Sequence, residues 1–119
     1  MTALENQVGG SHYMSLKMQP IELIVQSNLS FIQGCIIKYI SRYEHKNGLQ
    51  DIKKCIHYAQ LAIELNSTGP NFHSVGLGYT YCKTNEFSAT QTNVIISTIQ
   101  DDYYNVIRYC NQIIKQQYS

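Results

Sequence analysis

The sequence predicts an all-α protein: two helical hairpins behind an irregular N-terminal arm, in one domain spanning 1–119. Three observations carry that prediction. Apolar residues recur at helical spacing in four separate stretches. Ser30 to Gln33 and Ser88 to Gln91 have the Ser-x-x-Gln form of a helix N-terminal capping box. Helix stops follow: Asn47-Gly48 after the first box, then Asn66 to Asn71 with Gly69-Pro70 inside it.

Residues 1–19 form the arm, where Gly9-Gly10 and Ser11-His12-Tyr13 show no sustained period. The helical core is expected over 20–66. Pro20 is favoured at a first helical position and opens a short helix reaching about Asn28. Behind Ser30, the residues Cys35, Ile36, Tyr39, Ile40 and Tyr43 make one apolar stripe, ended by Gly48. Asp51 reads as the cap of the next helix, with Ile52, Cys55, Ile56, Ala59, Ala62 and Ile63 on one face. Residues 67–87 read as a linker. Within it, Val75, Leu77, Tyr79 and Tyr81 alternate as in a strand, and a short helix over 79–85 is the rival. A C-terminal hairpin fills 88–119: Val94, Ile95 and Ile99 first, then a helix capped by Asp102 with Val106, Ile107, Cys110, Ile113 and Ile114.

The halves resemble each other as a tandem repeat would. Ser30, Gln33, Ile36 and Ile37 align with Ser88, Gln91, Val94 and Ile95, and the Asp51–Tyr58 run aligns with Asp102–Tyr109. The first half is longer between its caps (51 − 30 = 21, against 102 − 88 = 14). The surplus falls around 42–48, the most charged stretch, and a polar extension on a repeated scaffold is where function is sought.

Composition narrows the function. The 119 residues are 44% hydrophobic, which fills a self-standing core. Only 14% are charged, so the surface is Ser, Thr, Asn, Gln and Tyr, which suits a homo-oligomer. A net charge of +1 argues against general nucleic-acid binding. No secretory leader is expected, and no apolar run approaches the ~20 residues of a membrane span. The cysteines at 35, 55, 82 and 110 stand singly, which predicts reduced thiols in a cytoplasmic protein without a zinc site. Nucleotide-binding glycine loops, a nucleophile elbow and a zincin motif are all missing, so no cofactor or metal is expected and no catalytic residue is assigned.

The chemistry concentrates elsewhere. Lys38, Arg42, Lys46, Lys53 and Lys54 are five of the nine basic side chains. Lys38, Arg42 and His45 share one helix face, which makes either a phosphate cradle or a solvated face paired with Glu44 and Asp51. Ten tyrosines and no tryptophan supply rings that either stack on a base or pack in the core.

From Ser11 to Leu65 the chain resembles a small phage protein family, long labelled a domain of unknown function and often described as a nucleotide kinase. The resemblance runs through His12-Tyr13, Pro20 to Ile24, Phe31 to Cys35, Ile37 to Arg42, His45 to Gly48 and Asp51 to Tyr58. It departs at Cys35, where the family usually has Asn and a hydrogen-bonding amide. The resemblance implies a phage origin, in the cytoplasm of an infected bacterial host, and the handling of a nucleotide-like ligand. The expected ligand-binding set is His12, Tyr13, Lys38, Tyr39, Arg42, His45, Lys46, Lys54 and Tyr58, with Arg108 as the second-half counterpart of His57. Three functions fit. The leading one is non-catalytic capture of a nucleotide or nucleotide-derived host defence signal. A nucleotide kinase and a module that binds a host protein are the alternatives.

Overall fold

A computed structural model describes residues 2–10, 16–68 and 75–119. Six α-helices and no strand occur among the described residues: α1 (Pro20–Gln26), α2 (Phe31–Arg42), α3 (Leu49–Glu64), α4 (Gly76–Thr84), α5 (Ala89–Ile99) and α6 (Tyr103–Gln117). Single 3-10 turns lie at Ala3–Glu5 and Tyr43–His45. No described helix is long and apolar enough to cross a membrane. The protein is all-α.

Side chains close the starts of α1, α2, α5 and α6. The Glu22 carboxylate accepts from Gln19 N–H at 2.7 Å, and Pro20 needs no partner. At α2, Ser30 Oγ accepts from Gln33 N–H while Gln33 Oε1 accepts from Ser30 N–H, which completes the capping box. Ser88 Oγ caps α5 and Asp102 Oδ1 caps α6. Asp51 does not cap α3. That helix starts earlier, at Leu49 with Gly48 as its cap, and Asp51 lies in its first turn, fully buried. The helix starts early because Gly48 adopts φ +52°, a value glycine tolerates, and this re-aims the chain ahead of Asp51.

Four helices end alike. After α1, α3, α4 and α5 a residue turns left-handed: Asn28 (φ 51°), Asn66 (51°), Glu86 (59°) and Asp101 (57°). The next N–H reaches back five residues, as in Leu29 to Ile24 O, Ser67 to Ala62 O, Phe87 to Cys82 O and Asp102 to Ser97 O. After α5, Asp102 therefore closes one helix and opens the next. Between α2 and α3 stands a longer connection through Tyr43–His45 and Gly48, which is the charged surplus of the first half.

The stretch 67–87, read as a linker, carries α4, and the alternating strand pattern does not form. Gly78, Tyr81 and Cys82 are buried at i, i+3 and i+4, so a helix places them together against α5, while Tyr79 faces solvent. Gly78 permits the close approach: a Cβ there would lie 2.5 Å from Ile99 Cδ1 and 3.0 Å from Ile96 Cδ1. The Tyr81 hydroxyl is satisfied by Ser41 Oγ at 2.6 Å.

α2 packs on α3, α5 on α6, and the two pairs meet through α2 against α5 and α3 against α6. Ile36, Ile37 and Ile40 meet Val94, Ile95 and Ile99 in one core with Ile52, Cys55, Ala59, Val106, Cys110 and Ile113. Two buried glutamines cross it. Gln33 Nε2 donates to Thr98 O at 3.0 Å, and Gln91 Nε2 donates to Ile40 O at 2.8 Å. These bonds are reciprocal: each residue has its counterpart 58 positions away (91 − 33 and 98 − 40). The left-handed residues Asn28 and Glu86 keep the same interval, as do Pro20 of α1 and Gly78 of α4.

Candidate functional site

α2 presents Lys38, Tyr39 and Arg42 along one side, and α3 presents Lys54 and Tyr58 one turn apart. Packing of α2 on α3 brings these five together. The Tyr39 and Tyr58 rings stack with centroids 6.0 Å apart and planes 17° from parallel. Around the Tyr39 ring lie three cations, measured to its centroid: Lys38 Nζ at 4.9 Å, Arg42 Cζ at 4.7 Å and Lys54 Nζ at 4.8 Å. Each such contact contributes roughly 0.5–1 kcal/mol at an exposed site.

The three cations are not equivalent. The Asp51 carboxylate accepts from Arg42 Nε at 3.3 Å and Nη2 at 3.2 Å, and from Asn47 N–H at 3.2 Å. Its side chain is 0% accessible and that of Arg42 11%. This is the one salt bridge among the described residues, so Lys38 and Lys54 have no carboxylate beside them there. Arg42 is therefore part of the fold as well as of the cluster. Asp51 is the partner that the solvated-face reading named, but the pair is buried rather than solvated, because Asp51 lies inside α3 rather than at its exposed cap.

Cys35 adjoins the same cluster. Burial pushes its thiol above the usual range, with hydrogen bonding to Tyr58 and the Lys38 charge pulling the other way. The Tyr58 phenol is raised in turn, first by the charge a Cys35 thiolate would carry and then by burial. Both groups are neutral at pH 7, so each offers a hydrogen bond rather than a nucleophile.

The other expected residues lie apart or outside the description. His45 and Lys46 are exposed in the connection after α2. Arg108 is exposed on α6, its guanidinium 4.9 Å from the Tyr109 ring and its Nη1 3.5 Å from Asn105 Oδ1. His12 and Tyr13 lie outside the described residues. Sequence reasoning missed a pocket beside Lys38, walled by Gln19, Pro20, Ile21 and Ile24, with a volume of about 120 Å³. Its signal was the apolar pair Ile21 and Ile24, three positions apart on a helix of only seven residues. Among the described residues, no three His, Cys, Asp or Glu side chains are grouped as metal ligands.

Residues 8–60 match the family model DUF3310, described as a protein of unknown function. The match covers most of the arm, α1, α2 and much of α3, and so every residue of the cluster. That segment is similar to an uncharacterised family, whose description assigns no activity. No curated protein and no solved structure matches the chain.

Proposed function

We propose that this protein captures a small nucleotide or nucleotide-derived anion at the Lys38–Tyr39–Arg42–Lys54–Tyr58 cluster and leaves it chemically intact. The observation that carries the reading is the crowding of three cationic heads around one tyrosine ring, of which, among the described residues, only Arg42 is paired with a carboxylate. All three lie within 5 Å of one centroid, so no two are more than about 10 Å apart, and repulsion costs each pair roughly 0.4–1.7 kcal/mol between water-like and surface dielectrics. A phosphate removes that repulsion and adds charge-assisted hydrogen bonds of about 1.5–3 kcal/mol each. The stacked Tyr39 and Tyr58 rings add aromatic surface. Capture rather than transfer is favoured because the carboxylate nearest the cluster, Asp51, is buried and engaged by Arg42 and Asn47, which makes it a counter-ion.

Within this reading the chain is a phage protein acting in the cytoplasm of an infected bacterium, and its ligand is a host defence signal. The shared interval of 58 between the paired glutamines, between Asn28 and Glu86 and between the starts of α2 and α5 supports a tandem repeat of two helical hairpins. Phe31 (78% exposed) and Tyr104 (73%) favour a homo-oligomer. They open α2 and α6 at one end of the bundle, where Gln33 bonds Asp101 and Asp101 accepts from Tyr103.

The test incubates the protein with nucleoside mono- and triphosphates, cyclic dinucleotides and ADP-ribose derivatives, with and without Mg²⁺. Thermal shift reports binding and chromatography follows the products. A ligand that stabilises the fold and is recovered unchanged after denaturation supports capture. Turnover lost in Lys38→Ala overturns it in favour of a nucleotide kinase. Neither binding nor turnover leaves the host-protein module.

A further inference from the structure

We propose that the pocket between α1 and Lys38 is the second part of this site, taking the planar base of a nucleoside phosphate whose phosphates rest on Lys38 and Lys54. The inference rests on the anion-binding reading above and adds to it what the rest of the ligand must be. Lys38 belongs to both parts: its side chain walls the pocket with Pro20, Ile21 and Ile24, while its Nζ sits 4.9 Å from the Tyr39 centroid. A ligand that touches one lysine along its stem and at its head has an apolar face and an anionic group within a few ångströms of each other. A nucleotide has both.

The second half of the chain shows why the pocket is open. Counting 58 positions on, Pro20 corresponds to Gly78 and Lys38 to Ile96. There α4 lies close on α5, Ile96 is 7% exposed, and its Cδ1 comes within 3.0 Å of where a Gly78 Cβ would stand. Glycine against isoleucine closes that side. In the first half the corresponding pair is proline against lysine. A lysine stem cannot fill the space as isoleucine does, because its ammonium must keep a polar environment. Beside it α1 lies close on α2, since a Cβ added at Gly34 would meet Ile24 Cγ2 at 3.4 Å.

The lining also limits specificity. Pro20, Ile21, Ile24 and the lysine stem offer faces, and the Gln19 amide that also walls the pocket already donates its Nε2 to Leu4 O, so a base is held mainly by its flat surface. Recognition then follows ring area: purines bind better than pyrimidines, and adenine and guanine nearly alike.

Titration calorimetry of the native chain with inorganic pyrophosphate, ADP, GDP and UDP tests this. The nucleoside diphosphates should bind at least about tenfold tighter than pyrophosphate, with ADP and GDP ahead of UDP. Ile21→Trp fills the pocket from a half-exposed position and should erase that margin while leaving the pyrophosphate affinity within about twofold. Ile24→Trp repeats the test one turn further along α1. If pyrophosphate binds as tightly as the diphosphates, or the margin survives both substitutions, the pocket proposal is wrong and the anion site stands. Should neither pyrophosphate nor any diphosphate bind, both fall together. If a filled variant fails to fold, the margin and the purine preference of the native chain still decide.

Discussion

Asp51→Ala removes the carboxylate that ties α3 to the end of α2. Asp51 is fully buried and holds Arg42 through two bonds of 3.2–3.3 Å and Asn47 N–H through a third. Breaking a buried pair from one side costs about 3–5 kcal/mol, because the remaining charge stays desolvated. Arg42 keeps 11% accessibility and its place over Tyr39, which puts the expected loss near the lower bound, about 3 kcal/mol. Unfolding entropy of about 2.1 cal/mol/K per residue gives roughly 0.25 kcal/mol/K for this chain, so Tm should fall by about 12 °C. The assay is thermal unfolding followed by circular dichroism at fixed protein concentration. Replacing both partners, Asp51→Leu with Arg42→Met, should recover most of the loss, since no charge is then left buried. A fall of less than about 4 °C in the single variant, or a double variant as unstable as the single, refutes the buried-pair account.

Further predictions concern the core. Gln91→Leu, which leaves Ile40 O without its cross-core donor, should cost about 1–3 kcal/mol by chemical denaturation, and Gln33→Leu should cost more because Gln33 also serves Ser30 N–H. Stability should also fall at alkaline pH. Burial pushes the Cys82 thiol up to about 11 from 9.0 and the Tyr43 phenol to about 12 from 10.0. Unfolded thiols and phenols then lose protons before folded ones, so the contribution is intact below pH 9 and is lost as pH rises through 9 to 11 for Cys82 and 10 to 12 for Tyr43. Urea midpoints measured from pH 7 to 11 should show that decline, and Cys82→Ala should soften its first part.

Helix starts were the most legible feature, because Ser30, Ser88 and Asp102 act through bonds to residues three positions on. At α4 the sequence leaves a strand and a short helix over 79–85 both open, since Val75 to Tyr81 suits a strand by alternation; the helix forms, and starts earlier, because the face of α5 selects Gly78, Tyr81 and Cys82. Asp51 was misplaced for a related reason: a cap and a buried first-turn carboxylate look alike in sequence, and the difference lies in how Gly48 turns the chain. At the candidate site, the shared helix face of Lys38 and Arg42 was readable from spacing. The arrival of Lys54 and Tyr58 depends on how α3 packs, and the pocket beside Lys38 on where α1 docks. Neither distance is local, so no short motif records it.

The measurement closest to the central claim is titration of ADP and pyrophosphate into the native chain and into the Lys38→Ala, Lys54→Ala double variant. These two lysines face no carboxylate among the described residues, so removing them leaves the Arg42–Asp51 pair and the core intact. Each loss should weaken binding by about 1.5–3 kcal/mol, roughly ten- to over a hundredfold, and the double variant should show no measurable heat at a concentration that saturates the native chain. A native chain that binds neither probe, or a double variant that binds as tightly as the native chain, would contradict the account.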